Sequence, residues 1–107
     1  MTAGPRRLRA PALLDGAMGT ALIARGLPPG ALPEEWLLSR PDEIRAVHRA
    51  HAAAGAEVLL TCTFNAAAPR LEARLPSPPV EALCAAAVAL ARDASRPGGL
   101  VAGAVGP

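Results

Sequence analysis

The chain has 107 residues, a formal net charge of +2, 51% apolar and 2% aromatic residues. That is the length of one small domain, with a core that alanine must help to fill and too few aromatics for a platform that stacks single-stranded nucleic acid. No run of about 18 residues is free of charge, which argues against a helical membrane span.

All eleven basic residues are arginine. Arg6, Arg7 and Arg9 form the one short basic cluster and read as a solvated arm over residues 1–11, so no nucleic-acid partner is expected. The arginine-rich start followed by apolar residues imitates a signal peptide, but Asp15 interrupts the apolar run and no small-residue cleavage site follows. Cys62 and Cys84 do not make a disulfide framework. A reduced, cytoplasmic protein is expected.

In chain order, Ala12-Leu13-Leu14 is a short apolar run stopped by Asp15-Gly16. It reads as a first strand. Met18, Leu22 and Ile23 then recur at helical spacing and predict a helix that ends near Gly26. Residues 27–33 carry three prolines and a glycine and read as loop, and Trp36 is expected to pin the loop that follows. The next helix is the clearest. Ser39 can cap it with Asp42 as the reciprocal partner, Pro41 fits its first turn, and Asp42 and Glu43 suit the positive end of its dipole. Ile44, Val47, His51 and Ala54 are predicted to share its inward face, and Gly55 to stop it.

Residues 57–64, EVLLTCTF, follow at once. Val58-Leu59-Leu60 has the continuous apolar character of a strand covered on both faces, and Asn65 offers a turn. A short helix is predicted from Pro69 to Leu75, then a break at Pro76-Ser77-Pro78-Pro79. A longer helix follows, with Val80, Leu83, Cys84, Ala87, Val88 and Ala91 on its apolar face. It stops before Arg96-Pro97-Gly98-Gly99, and Leu100-Val101-Ala102 reads as a third strand, ending in Gly103.

Strand, helix, strand, helix, strand is the alternation of βαβ units around a parallel sheet. An α/β fold follows, either an open doubly wound sheet or part of a (β/α)8 barrel. Both place chemistry at the C-terminal ends of the strands.

Three strand ends meet there: Asp15-Gly16-Ala17, then Thr61-Cys62-Thr63-Phe64-Asn65, then Gly103 to Gly106. A carboxylate beside free backbone N–H groups suits an amino acid, whose ammonium goes to the acid and whose carboxylate goes to the amides. Thr61 and Thr63 can supply hydroxyls, and Phe64 can pack on an aliphatic chain. The bland alternative is that Asp15 is an ordinary helix N-cap. DGAMGT matches neither the dinucleotide fingerprint nor a phosphate-binding loop, so nucleotide binding is discounted. His48 and His51 stand three apart on a helix, a spacing that can hold zinc, but no third ligand is near in sequence and packing roles are expected. Cys62 alternates away from the threonines and is expected as a small buried hydrophobe. Cys84 belongs to the apolar face of its helix.

Taken together, "LLDGAMGT", "PEEWLLSRPDEIRAVHRAHAAAGAEVLLTCTFNA" and "VAGAVGP" resemble successive blocks of the homocysteine S-methyltransferase family. That family includes the homocysteine-binding domain of cobalamin-dependent methionine synthase and betaine–homocysteine methyltransferase. The resemblance implies a (β/α)8 TIM barrel that moves a methyl group to homocysteine sulfur, giving methionine. It also implies a zinc ion on cysteine thiolates that keeps the sulfur as a nucleophilic thiolate. Cobalamin or folate would enter through other modules.

Residue by residue, the resemblance assigns Asp15, Gly16 and Ala17 to the amino-acid end of homocysteine, and Thr61, Thr63 and Phe64 to the pocket wall. Many members have T-N-T-F-G where this chain has Thr61-Cys62-Thr63-Phe64-Asn65. The G-x-N-C and G-G-C-C blocks that carry the family's zinc cysteines do not occur, so no catalytic or metal-ligating residue is assigned. Residues 12–107 are therefore expected to be the N-terminal part of a homocysteine-binding barrel, about three of eight strands. Such a piece would depend on the remaining strands and be inactive alone. A non-catalytic amino-acid-binding module and a barrel acting on another thiol are the alternatives.

Overall fold

The structure, a computed structural model, describes residues 12–66, 69–75 and 79–106. The arginine cluster, the break at 76–78 and Pro107 lie outside the described residues.

Helix α1 covers Gly19–Ala24 and buries Leu22 completely. The loop expected over 27–33 is present through Ala31, where Leu27 and Leu32 turn inward at 2% and 5% exposure. A 3₁₀ turn, Pro33–Glu35, then runs directly into α2, Trp36–Ser39. Trp36 therefore opens a short helix rather than pinning a loop, with its ring against the core and the Arg40 guanidinium 5.2 Å from its centre.

Helix α3 spans Pro41–Ala53 with Pro41 in its first turn and Asp42 and Glu43 beside it. The Ser39 cap is not formed. Ser39 is the last residue of α2, and its hydroxyl donates to the Glu35 carbonyl at 3.1 Å, so the N-cap position falls to Arg40 without a side-chain bond. Asp42 pairs instead with Arg45. The inward face consists of Ile44, Val47 and His48, with His51 half-buried. Ala54, expected on that face, lies past the last helical residue and is exposed. Gly55 then turns the chain at φ +111°, a conformation that strains any residue with a Cβ.

Strand β1, Val58–Leu60, pairs in parallel with β2, Leu100–Ala102, in the register Val58 to Leu100 and Leu60 to Ala102. Leu60 is 36% exposed, so β1 is not covered on both faces along its whole length. The strand expected at residues 12–14 shrinks to one parallel bridge, Leu14 to Val58. Backbone bonds hold it, from Glu57 N–H to the Leu13 carbonyl and from Asp15 N–H to the Val58 carbonyl. The ladder then stops for a chemical reason. The Leu60 N–H donates to the Asp15 carboxylate at 3.1 Å, and a side chain occupies the donor that would continue the backbone pairing.

Between β1 and β2 run α4, Pro69–Arg74, and α5, Val80–Ala94. The inward residues of α5 are Leu83, Ala87, Leu90, Ala91 and Ala94. Val80 and Cys84, predicted for that face, are exposed and half-buried respectively. Helix α5 packs against α3, where Asp93 accepts ion pairs from Arg45 and Arg49 at 3.0 and 3.3 Å. The main core joins α1, α2, α3 and α5 around Leu22, Leu37, Ile44 and Leu83. A smaller cluster, Ala56, Leu59, Ala91 and Ala94, seats β1 on α5. Alanine is prominent where helix meets sheet, as the shortage of aromatics requires.

Candidate functional site

The parallel pairing directs the C-terminal ends of the strands to one side, and a pocket of about 460 Å³ opens there. Its volume lies within the range of small-molecule sites. Asp15, Gly16, Ala17, Thr61, Thr63 and Phe64, the residues singled out in the sequence, all line it.

Asp15 is half-buried. One carboxylate oxygen accepts the Leu60 N–H, and the other is buried with no partner among the described residues. The helix-cap reading of Asp15 fails: α1 begins at Gly19, and its N-cap is Met18, with no side-chain bond. What the carboxylate does instead is tie the 13–15 segment to the end of β1 and leave one acceptor oxygen over. Gly16 is tightly placed. A Cβ there would stand 2.8 Å from His51 Cε1, so the backbone of the acidic turn lies directly on the histidine ring.

Thr61 and Thr63 are buried at 5% and 9% exposure. Their hydroxyls meet at 2.7 Å, Thr63 donates to the Ala104 carbonyl at 2.7 Å, and the Ala104 N–H donates to Thr61 at 3.2 Å. These bonds close into a ring with one direction, in which Thr61 donates to Thr63. Both hydroxyl protons are therefore used in holding the segment after β2, and each oxygen keeps only acceptor capacity. Phe64 is 57% exposed on the turn that follows, and its carbonyl comes so close to Gly106 that a side chain at 106 would collide with it.

One lining residue escaped the sequence reading. Glu34, in the 3₁₀ turn, is 1% exposed and borders the same pocket. Its carboxylate accepts the Asn65 N–H at 2.6 Å and lies 3.4 Å from the Asn65 side-chain nitrogen. The only cue in the sequence is an acid following Pro33, and nothing local distinguishes Glu34 from Glu35. Glu35 instead accepts the Leu32 N–H at 2.5 Å and pairs with Arg74 at 2.8 Å. Burial alone would raise the Glu35 pKa, but the Leu32 bond and the arginine outweigh it and hold it below the ordinary value. Among the described residues, Asp15 and Glu34 give the lining two carboxylates and no basic side chain, an electrostatic setting that favours a cationic group.

His48 is fully buried, with neither ring nitrogen partnered, and the His51 Nε2 is likewise buried and unpartnered. Burial lowers the His48 pKa, the Asp15 charge opposes that shift, and His51 reinforces it. The two histidines thus form a polar layer behind the Asp15–Gly16 turn, and among the described residues no group of three acidic, histidine or cysteine side chains could hold a metal ion. Cys62 belongs to the helical core, as its alternation predicted. Burial pushes its thiol pKa far up, and Glu34 adds to the effect. That is the opposite of what a metal-binding thiolate needs. Cys84 is half-buried beside an adjoining hollow, with Val80 and Val88, that shares Thr61, Thr63 and Phe64 with the pocket.

The profile of the homocysteine S-methyltransferase family matches residues 12–107. The chain is 38% identical to the homocysteine S-methyltransferase of Escherichia coli K12 in an alignment of 107 positions that covers 89% of this chain and 34% of that protein. Among solved structures it is similar to the metallated form of the homocysteine methyltransferase MmuM from Escherichia coli. The TM-score is 0.77 at 38% identity, over 90% of this chain and 38% of that one. The chain thus spans about a third of the length of these relatives.

Proposed function

The chain belongs to the homocysteine S-methyltransferase family, and from that premise we propose that its pocket binds homocysteine as acceptor of a methyl group, giving methionine. The observation that carries the reading is the Asp15 carboxylate, fixed by the Leu60 N–H through one oxygen and, among the described residues, unpartnered at the other, on the rim of a pocket whose described lining has no basic side chain. A carboxylate charge at that rim, not neutralised by a basic side chain among the described residues, is suited to an ammonium.

In this reading Asp15 takes the substrate ammonium and the backbone of Gly16 and Ala17 meets the same end of the amino acid. The Thr61 and Thr63 oxygens accept from it, and Phe64 covers its methylene groups. Two parallel strands and a third bridged segment are taken as one arc of a (β/α)8 barrel, with the pocket at its C-terminal mouth. A methyl donor and further barrel strands complete the site. The family's zinc does not fit the donor set described here, because Cys62 is held as a thiol and the histidines stand behind the acidic turn. The chain's own contribution is to bind and orient the amino-acid end of the substrate.

Titration with homocysteine tests this. Replacing Asp15 by Ala removes the charged partner of a desolvated ammonium, which costs about 2–5 kcal/mol in binding. Homocysteine affinity should fall accordingly. An Asp15→Ala protein that titrates like the parent contradicts the assignment.

A further inference from the structure

Two segments far apart in sequence meet in the lining of the pocket. One is the 3₁₀ turn Pro33–Glu35, and the other is the turn that carries Phe64 after β1. Glu34 joins them. Its carboxylate is 1% exposed, yet it spends that burial on a residue 31 positions away, accepting the Asn65 N–H at 2.6 Å with the Asn65 amide 3.4 Å from its other oxygen. Removing a carboxylate from water is costly, and a short bond from a backbone N–H to a charged acceptor is among the stronger ways to offset it.

Both ends of this link are themselves anchored. The turn that carries Glu34 is closed by the Leu32 N–H on Glu35 and tied to α4 through Arg74. The turn that carries Asn65 is closed by the Ala66 N–H on the Thr63 carbonyl. Phe64 lies between Thr63, locked in the hydroxyl ring, and Asn65, locked on Glu34. It is 57% exposed, so it owes its place to these two flanking anchors more than to packing on its ring.

We propose that Glu34 is a positioning residue, which fixes Phe64 relative to Asp15 and thereby sets the length of thiol amino acid that the pocket accepts. This rests on the homocysteine reading above and adds a determinant of substrate length to it.

The test compares the full chain with Glu34→Ala and Glu34→Gln, using calorimetric titration with homocysteine and with cysteine, one methylene shorter. One methylene in a fitted pocket is worth roughly tenfold or more in discrimination. The parent should prefer homocysteine by about that factor. Glu34→Ala should lose the preference. Glu34→Gln, which keeps an oxygen for the Asn65 N–H, should retain it. The Asn65 amide proton, followed by heteronuclear NMR, should lie downfield in the parent and move upfield in both variants, furthest in Glu34→Ala. This readout reports the bond itself where the Ala variant folds poorly.

An unchanged preference in Glu34→Ala overturns the proposal. So does a Glu34→Gln protein as impaired as the Ala variant, because the charge would then act on the ligand directly. Asp15→Ala serves as the control. If homocysteine does not bind the parent, the homocysteine reading fails and this inference with it. If it binds in an Asp15-dependent way and Glu34 has no influence, only the inference fails.

Discussion

Gly16 and His51 show how closely the acidic turn is fitted. A methyl group at Gly16 would stand 2.8 Å from the His51 ring, and forcing extra volume into such a contact costs about 1–3 kcal/mol. Gly16→Ala should lower the unfolding free energy from urea titration by that amount, and His51→Ala in the same chain should recover most of it. Additive losses in the double variant would show that the contact is not the cause. His48 makes a pH prediction. Its pKa is lowered by burial, raised by Asp15 and lowered again by His51, with a net shift below the ordinary value. In the unfolded chain the ring titrates near about 6.5. Between that value and the lower folded one the unfolded state binds the additional proton, so stability rises with pH across the window and is lost as pH falls through it. The fall in urea midpoint from pH 7 to pH 5 should be steeper in the parent than in His48→Gln. Equal slopes would remove His48 as the source. The raised thiol of Cys62 predicts slower alkylation there than at the half-buried Cys84. At this scale Asp15, Cys62 and the pocket threonines were legible from motif and alternation, whereas Glu34 was not. Its burial comes from a bond to Asn65, and no periodicity encodes a contact across that separation.

Between elements, the hydroxyl ring of Thr61 and Thr63 joins the end of β1 to the segment after β2. Thr63→Val leaves the half-buried Ala104 carbonyl without its donor, a loss of about 1 kcal/mol. It should appear as faster amide exchange at residues 102–104, while unchanged exchange there would show that the ring carries little. Helices α3 and α5 and strands β1 and β2 could be read from the sequence because each has a strong apolar period and a chemical stop, as with Gly55 at φ +111°. The failures have physical causes too. Ser39 was read as a cap because a cap and the last residue of a preceding helix look alike in sequence, and α2 is too short for periodicity to reveal it. The first strand was overestimated because the Asp15 side chain intercepts the Leu60 N–H where another backbone rung would form.

Across the whole molecule, the apolar residues divide unevenly. The helices enclose a core while leaving Ile23, Leu38 and Val80 outside it, and Leu13, Leu14, Leu60, Phe64 and Val105, on the strands and their ends, stand 36–88% exposed. Apolar side chains gathered along a short parallel sheet promote association. The chain should therefore self-associate at micromolar concentration in sedimentation experiments, and Leu14→Glu with Leu60→Glu should reduce it; a monodisperse parent would count against this. The central claim concerns the ammonium, and a double comparison tests it most directly. Parent and Asp15→Asn are each titrated with homocysteine and with 4-sulfanylbutanoate, the same molecule without its amino group. The account predicts that the parent strongly favours homocysteine and that Asp15→Asn binds the two alike. A preference that survives in Asp15→Asn would mean that the ammonium is held elsewhere, and the account would be contradicted.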